Sequence, residues 1–277
     1  MEQLQGKVAV ITGAASGIGL AMARRAAAEG MRLVLADIET EPLVQAEKDL
    51  AGTGAEVLGV VTDVSDYTSV ELLRNRAVER FGAVHLVHNN AGVGAGGLLW
   101  EISEAEWRWV LGVNLWGVVH GIRAFVPLMV EQGEGHVVNT ASLAGLVSTP
   151  FMGPYNASKH AVVTISETLA KDLRLVGSPV GVSVLCPAFV KTKIDQSDRN
   201  RPDWAPVGDS PGREQIQEAI HQLVAGGIEP TLVADRVLQA VREDTFYILT
   251  HEDSAPAVAT RMHDILEGRA PSDTVIA

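Results

Sequence analysis

The chain has 277 residues, 47% of them hydrophobic and 20% charged, with a formal net charge of −12 at pH 7. That length and apolar content suit one folded α/β domain with a sizeable core and exclude a disordered chain. The negative balance argues against a nucleic acid or an anionic membrane as partner, because both need clustered Lys and Arg, yet it leaves a phosphate-bearing cofactor open, since N–H groups at a helix N-terminus hold phosphate without a basic patch.

Short β-branched runs alternate with amphipathic ones along the chain. The first, Lys7–Thr12 (KVAVIT), reads as a buried strand and leads into TGAASGIG, Thr12–Gly19, ahead of the helical pattern LAMARRAAAEG. Gly13, Gly17 and Gly19 therefore stand at a strand-to-helix junction, where glycine permits a tight turn and close approach of backbone to a ligand. The helix N-terminus behind them offers free N–H groups and positive dipole to a pyrophosphate. The second strand, Arg32–Asp37, ends in a carboxylate. At that place a carboxylate accepts hydrogen bonds from the two ribose hydroxyls of an adenosine and repels a 2′-phosphate, which favours NAD over NADP. Ile38 and Glu39 follow, so no basic residue offsets it.

Further strands are expected at Glu56–Val61, Val84–Asn89, Gly135–Ser142, Val180–Cys186 and Phe246–Thr250, with helices between them, including TSVELLRNRAVERFG and the segments 104–130 and 157–176. Strands buried on both faces and alternating with helices predict an α/β fold: a Rossmann-like doubly wound parallel sheet of about seven strands, helices on both faces. One domain is expected over 1–277. A Pro-, Asp-, Arg- and Gly-rich interruption at 191–229 is read as a substrate lid, and 251–277 as a C-terminal tail with one more amphipathic helix. His85 and His88, on a predicted buried strand, are read as structural. No His, Cys, Asp or Glu cluster has metal-ligand spacing, so no metal is expected. The single cysteine, Cys186, fits a reducing compartment. With no signal-peptide pattern, and no stretch approaching a membrane span of roughly 18 apolar residues, a cytoplasmic protein is expected.

The stretch 140–163 (TASLAGLVSTPFMGPYNASKHAVV) carries Ser142, Tyr155 and Lys159. Tyr155 and Lys159 are spaced i, i+4 on a predicted helix and share a face. Ser142 lies at the carboxyl end of the fifth strand, where open α/β sheets place their ligand crevice. Tyrosine, with a free pKa of about 10, needs help to act as a base near neutrality. A nearby ammonium and a cationic nicotinamide would both favour phenolate. Tyr155 then serves as general acid or base, with Ser142 holding the substrate oxygen.

The TGxxxGxG turn, NNAG at Asn89–Gly92 and YNASK at Tyr155–Lys159 together resemble the short-chain dehydrogenase/reductase family, single-domain and metal-independent, over nearly the whole chain. The resemblance implies that Gly13, Ser16, Gly17, Ile18, Gly19 and Asp37 bind the dinucleotide. Asp63, with Val64 beside it, would meet the adenine, and Asn90, Ala91 and Gly92 would line the adenosine ribose and brace the sheet. It implies that Asn114, Ser142, Tyr155 and Lys159 form the catalytic set, Asn114 through a water connected to Lys159. Lys159 would also hold the nicotinamide ribose. Pro187, Val190 and Thr192 would flank the nicotinamide; the family usually has Gly after the proline, and this chain has Ala188.

The expected pocket residues Val93, Leu143, Leu146, Phe151, Met152, Phe189 and Trp204 are largely apolar. They point to a hydrophobic secondary alcohol and its ketone as substrate pair, with a 3-oxoacyl thioester or a non-catalytic dinucleotide sensor as alternatives. The outer faces of the two long helices carry Trp116, Val119, Val163 and Leu169. The resemblance implies that these helices pair with their copies, giving a homodimer or homotetramer.

Overall fold

Seven short runs rich in Val, Ile and Leu pair side by side in the computed structural model, which describes residues 1–208 and 212–273. They are β1 (Val8–Thr12), β2 (Arg32–Asp37), β3 (Val57–Val61), β4 (Leu86–Asn89), β5 (His136–Thr140), β6 (Gly181–Cys186) and β7 (Tyr247–Leu249). The order is β3-β2-β1-β4-β5-β6-β7 and every pairing is parallel. The helices are α1 (Gly17–Ala28), α2 (Thr40–Ala51), α3 (Tyr67–Phe81), α4 (Glu104–Leu111), α5 (Gly117–Gln132), α6 (Gly153–Leu175), α7 (Arg213–Ala225), α8 (Pro230–Glu243) and α9 (Ser254–Glu267).

The two-residue repeat of the strands sorts side chains between two cores. Leu33 and Leu35 of β2 pack with Met22 of α1 and with Val237 and Leu238 of α8. Val34 and Ala36 point the other way, to the layer holding Val70 and Leu73 of α3 and Phe125 and Met129 of α5. Strand order reverses between β1 and β4, and a parallel sheet opens a crevice beyond the carboxyl ends of its strands at such a point. This is the doubly wound architecture expected from the strand–helix alternation.

Two elements add to the expected pattern. α4 and α5 run on through a π-helical turn at Gly112–Trp116, making one helical run over Glu104–Gln132. That run is long and apolar enough, with a mean hydropathy of 1.4 in its most apolar window, to cross a membrane by length and composition alone, although Arg108 and Arg123 interrupt it. Part of it packs in the core, where Val118, Ala124, Phe125, Val126 and Met129 are buried. The segment 191–229, expected as a lid, is also less irregular than its composition suggests. It carries 3₁₀ turns at Ile194–Asn200 and a helix of its own, α7. Positions 209–211 of the lid and 274–277 of the tail lie outside the described residues.

Candidate active site

At the end of β1, Thr12 joins the two strands that flank the crevice. Its hydroxyl accepts from the backbone N–H of Asn90 (2.9 Å) and of Ala91 (3.0 Å), and the Asn90 amide donates to its carbonyl at 2.9 Å. The glycine turn follows. Gly13 and Gly17 have φ of +65° and +51°, a region that favours glycine. A Cβ at Gly17 would stand 3.0 Å from the Thr192 methyl, and one at Gly19 would run into the Gly13 carbonyl. Turn geometry therefore sets Gly13 and Gly17, and packing sets Gly17 and Gly19. Ser16 is the extended N-cap of α1, and its side chain makes no capping bond. The first N–H groups of α1 thus face the crevice unpaired by a cap, as an anion site requires.

Asp37 is 8% exposed at the end of β2. Its Oδ2 accepts from Ala15 N at 2.9 Å and its Oδ1 from Glu39 N at 3.0 Å. Burial pushes this carboxyl above its usual range, and the two backbone donors pull it back. Asp63 turns its carboxylate to the Ser65 N–H and hydroxyl, at 2.9 and 2.7 Å. Glu39 reaches across to the segment after β6, where Arg199 grips it at 3.0 and 3.2 Å.

Ser142 ends the extended segment after β5 and caps a 3₁₀ turn, accepting from Ala144 N at 3.1 Å and donating to the Pro187 carbonyl at 3.2 Å. The first turns of α6 present Tyr155 and Lys159. The Lys159 ammonium lies 5.4 Å from the Tyr155 ring centre and donates to the Thr140 carbonyl at 2.9 Å. Lys159 is 3% exposed, and burial brings its pKa down to about 8. Burial pushes the Tyr155 phenol up, and a hydrogen bond with Ser142 pulls it down. The expectation that the ammonium lowers Tyr155 is thus not met by the protein groups alone. Lys159 is itself desolvated and directed to a carbonyl, so burial governs the phenol.

One cavity of about 340 Å³ brings most of the expected residues together: Gly13, Ser16, Gly17, Ile18, Asp37, Asp63, Val64, Asn90, Ala91, Gly92, Ser142, Tyr155, Lys159, Pro187, Val190 and Thr192. Gly19 and Asn114 stand behind its wall. Asn114, in the π-helical turn, accepts from Val93 N (2.8 Å) and donates to the Val93 carbonyl (2.9 Å) and to the Ser158 hydroxyl (3.2 Å). Its side chain braces the loop after β4 and the α6 helix from beneath.

Of the expected pocket residues, Val93, Leu143, Met152, Phe189 and Trp204 line the cavity. Leu146 does not; it packs with Val118 and Val162 in the core. Phe151 is also outside, 42% exposed, with φ at +64°. Val163, expected on an outer face, is buried in the same core as Leu146. Sequence reasoning missed several members of the site. Trp109 comes from α4, and Arg213, Gln217, Ile220 and Val224 come from α7. It missed Glu106, 1% exposed, which holds Arg201 at 3.3 Å and Arg213 at 3.0 Å. It also missed His251, whose ring meets Ala188 N (3.3 Å) and the Phe189 carbonyl (3.0 Å) and so fixes the loop after β6. The i, i+3/i+4 apolar spacing of Ile216, Ile220 and Leu223 was the available signal for α7.

A profile of the family described as short chain dehydrogenase matches residues 7–203. The chain belongs to the short-chain dehydrogenase/reductase family. A short-chain dehydrogenase/reductase from Burkholderia phymatum, solved in complex with NAD, is 48% identical and superposes over 100% of both chains with a TM-score of 0.97. A CLA biosynthesis dehydrogenase/reductase of Lactiplantibacillus plantarum is 35% identical, covering 98% of this chain and 97% of its own. A 1-deoxy-11-beta-hydroxypentalenate dehydrogenase of Streptomyces avermitilis is 37% identical over 95% and 91% of the two chains. Membership makes this short-chain dehydrogenase/reductase an oxidoreductase acting on alcohol/ketone-type substrates.

Proposed function

We propose that the protein interconverts a hydrophobic secondary alcohol and its ketone with NAD as the preferred cofactor. The observation that carries this reading is the meeting of Ser142, Tyr155 and Lys159 with the glycine turn and Asp37 in one cavity. The residues fit a dinucleotide: three glycines where a Cβ has no room, open N–H groups at the start of α1, and a buried carboxylate at the end of β2. The relative from Burkholderia phymatum holds NAD, and the relative from Streptomyces avermitilis is named for a hydroxyl-bearing substrate.

When bound, the nicotinamide supplies the hydride acceptor or donor. The protein groups do the rest. Gly13, Ser16, Gly17 and Ile18 seat the pyrophosphate, and Asp37 takes the adenosine ribose hydroxyls. Thr192, packed on Gly17, and Pro187 would hold the nicotinamide, and Lys159 would hold its ribose. Ser142 donates to the substrate oxygen, and the Tyr155 phenolic oxygen takes or returns the carbinol proton. Val93, Trp109, Leu143, Met152 and Phe189 give the reacting carbon an apolar enclosure.

Trp116, 51% exposed on the π-helical turn, supports pairing of α4–α5 and α6 with a second copy, so a homodimer or homotetramer is part of the reading. A cytoplasmic location goes with it, supported by a single, buried cysteine. The deciding experiment is a panel of secondary alcohols incubated with NAD or NADP and read by absorbance of the reduced cofactor. Oxidation of apolar alcohols with NAD supports the reading; dinucleotide binding without turnover of any alcohol or ketone would favour a sensor instead.

A further inference from the structure

The loop after β6, from Pro187 to Thr192, ties the two halves of the site together. At its start the Pro187 carbonyl accepts from the Ser142 hydroxyl at 3.2 Å and from Leu143 N at 2.8 Å. At its end the Thr192 side chain lies against Gly17. Pro187, Ala188 and Phe189 all line the cavity that holds Ser142 and Tyr155. Between those ends the loop meets His251, two residues past β7. The Ala188 N–H donates to His251 Nδ1 at 3.3 Å, and His251 Nε2 lies 3.0 Å from the Phe189 carbonyl. A backbone N–H only donates and a carbonyl only accepts, so these partners fix the ring: Nδ1 is bare and Nε2 carries the proton. The Thr250 hydroxyl, 2.8 Å from Nδ1, donates to the same bare nitrogen. A neutral ring satisfies these contacts, whereas an imidazolium would turn an N–H toward the Ala188 N–H. The Phe189 carbonyl has a second anchor in Ile228 N at 3.1 Å; the Ala188 N–H has His251 alone among the described residues.

We propose that His251 is a positioning residue for the reaction: its neutral ring clamps the loop 187–189 and, through it, the Ser142 hydroxyl and the seat of the nicotinamide. The ring touches no reacting atom and acts through Ala188, Phe189 and Pro187. This rests on the oxidoreductase reading, which puts that loop beside the nicotinamide. The ring meets backbone from the loop and the Thr250 hydroxyl from the end of β7. Two charges face it: Arg236 of α8, which bonds the Leu249 and Thr250 carbonyls, and Asp253 just before α9. Burial disfavours the imidazolium most and Arg236 adds to that, while the Phe189 carbonyl and Asp253 oppose it; the balance lies below the ordinary histidine value of 6.5. The clamp is therefore whole at neutral pH and opens as acid protonates the ring.

The test compares His251→Leu, which removes both bonds, with His251→Gln, whose amide offers an acceptor and a donor in their place and does not titrate. NADH-driven reduction of the ketone of the best alcohol in the panel is followed across the pH range in which urea titration shows the chain folded. At pH 7.5, His251→Leu should lose at least about tenfold in kcat, with KM and the Kd of NADH within about threefold, because a misplaced ring costs rate rather than binding. His251→Gln should stay within about threefold of the unmodified enzyme in kcat. Reduction needs the Tyr155 phenol, which acid preserves, so a fall in acid marks another group. The unmodified enzyme should lose kcat below pH 6.5 and His251→Gln should not. Both keep His88 and His136, so acid effects on the fold are common to the two. A residue that only stabilised the fold would shift unfolding and leave the pH profile alone. Unchanged kcat in His251→Leu, no rescue by His251→Gln, or an acid fall that the unmodified enzyme lacks or His251→Gln shares overturns the proposal. The pH profile of His251→Gln decides the matter if His251→Leu does not fold. Emission of bound NADH is the independent arm: it should move toward that of free NADH in His251→Leu and not in His251→Gln. That shift in a protein that turns over no alcohol or ketone would sink the oxidoreductase reading and leave the clamp standing. An unshifted emission overturns the clamp.

Discussion

Lys159 sits 5.4 Å from the centre of the Tyr155 ring and gives its hydrogen bond to the Thr140 carbonyl, 2.9 Å away. The two groups therefore serve separate partners on one helix face, and removing them should produce different defects. Tyr155→Phe keeps the ring and its packing, so NAD binding should persist while turnover falls by roughly 10²–10⁴-fold. Lys159→Ala should weaken NAD binding and turnover together. Alcohol oxidation needs the phenolate and should climb with pH, the more so because burial raises Tyr155, whereas ketone reduction needs the phenol and should not. Near-normal kcat in Tyr155→Phe would place the proton elsewhere.

Burial of Lys159 also has a thermodynamic signature. Its pKa drops from 10.5 to about 8 in the folded chain. Between these values the unfolded chain holds the proton and the folded chain does not, so stability rises with pH across that window. The rise should amount to about 3 kcal/mol for a group so fully buried. Lys159→Met should abolish it and raise stability at neutral pH. Urea titrations at pH 7.5 and 10 give the slope; an equal rise in the variant would assign it to another group.

Asp37 should set cofactor choice. It is buried, doubly bonded to backbone, and followed by Glu39 rather than by a base. The unmodified enzyme should prefer NAD in kcat/KM, and Asp37→Ala should narrow the gap by lifting NADP. Equal or better kcat/KM with NADP in the unmodified protein contradicts the assignment.

Acid should destabilise the fold through two histidines outside the chemistry. His88 on β4 hydrogen-bonds the Thr140 hydroxyl, and burial lowers its pKa to about 3. His136 on β5 meets the Ser183 hydroxyl and falls to about 4. Both are neutral in the folded chain below pH 6.5, where the unfolded chain takes up the protons. Stability is therefore retained above that pH and lost below it, by about 2.5 kcal/mol for each histidine at pH 4.5. Chemical denaturation at pH 7 and pH 4.5 measures the loss, and a flat response would show that these rings find protons while folded.

Much of this was legible in the sequence because the signals are local. Val8–Thr12 and Arg32–Asp37 are β-branched or leucine-rich runs between turn residues, and the i, i+4 spacing of Tyr155 and Lys159 places them on one face before any fold is known. The electrostatics were less legible, since burial of Lys159 depends on β5 and the loop after β4. The lid was least legible. α7 has a readable apolar repeat, but it follows a Pro- and Gly-rich stretch, and its anchors, Glu106 on α4 and Asp195 before it, lie far away or carry charge. Leu146 and Phe151 were misplaced for a similar reason. Proximity in sequence to Ser142 and Tyr155 does not say which way a loop turns its side chains.

The bond between Glu39 and Arg199 alters the topology of the crevice. Arg199 also donates to the Lys193 and Gln196 carbonyls of its own segment, at 2.8 and 3.0 Å, so the guanidinium is a rigid clasp rather than a free arm. Chain and clasp together form a closed ring that runs from β2 through the sheet to β6 and back along the lid. A long molecule lying in the crevice is expected to exchange faster when the clasp is undone. The pair is 31% and 21% exposed, open to screening by salt. Ionic strength should therefore govern the speed of cofactor exchange more than its equilibrium. Glu39→Gln should speed NADH dissociation in stopped-flow fluorescence and make it indifferent to salt, turning a gated vessel into an open bowl.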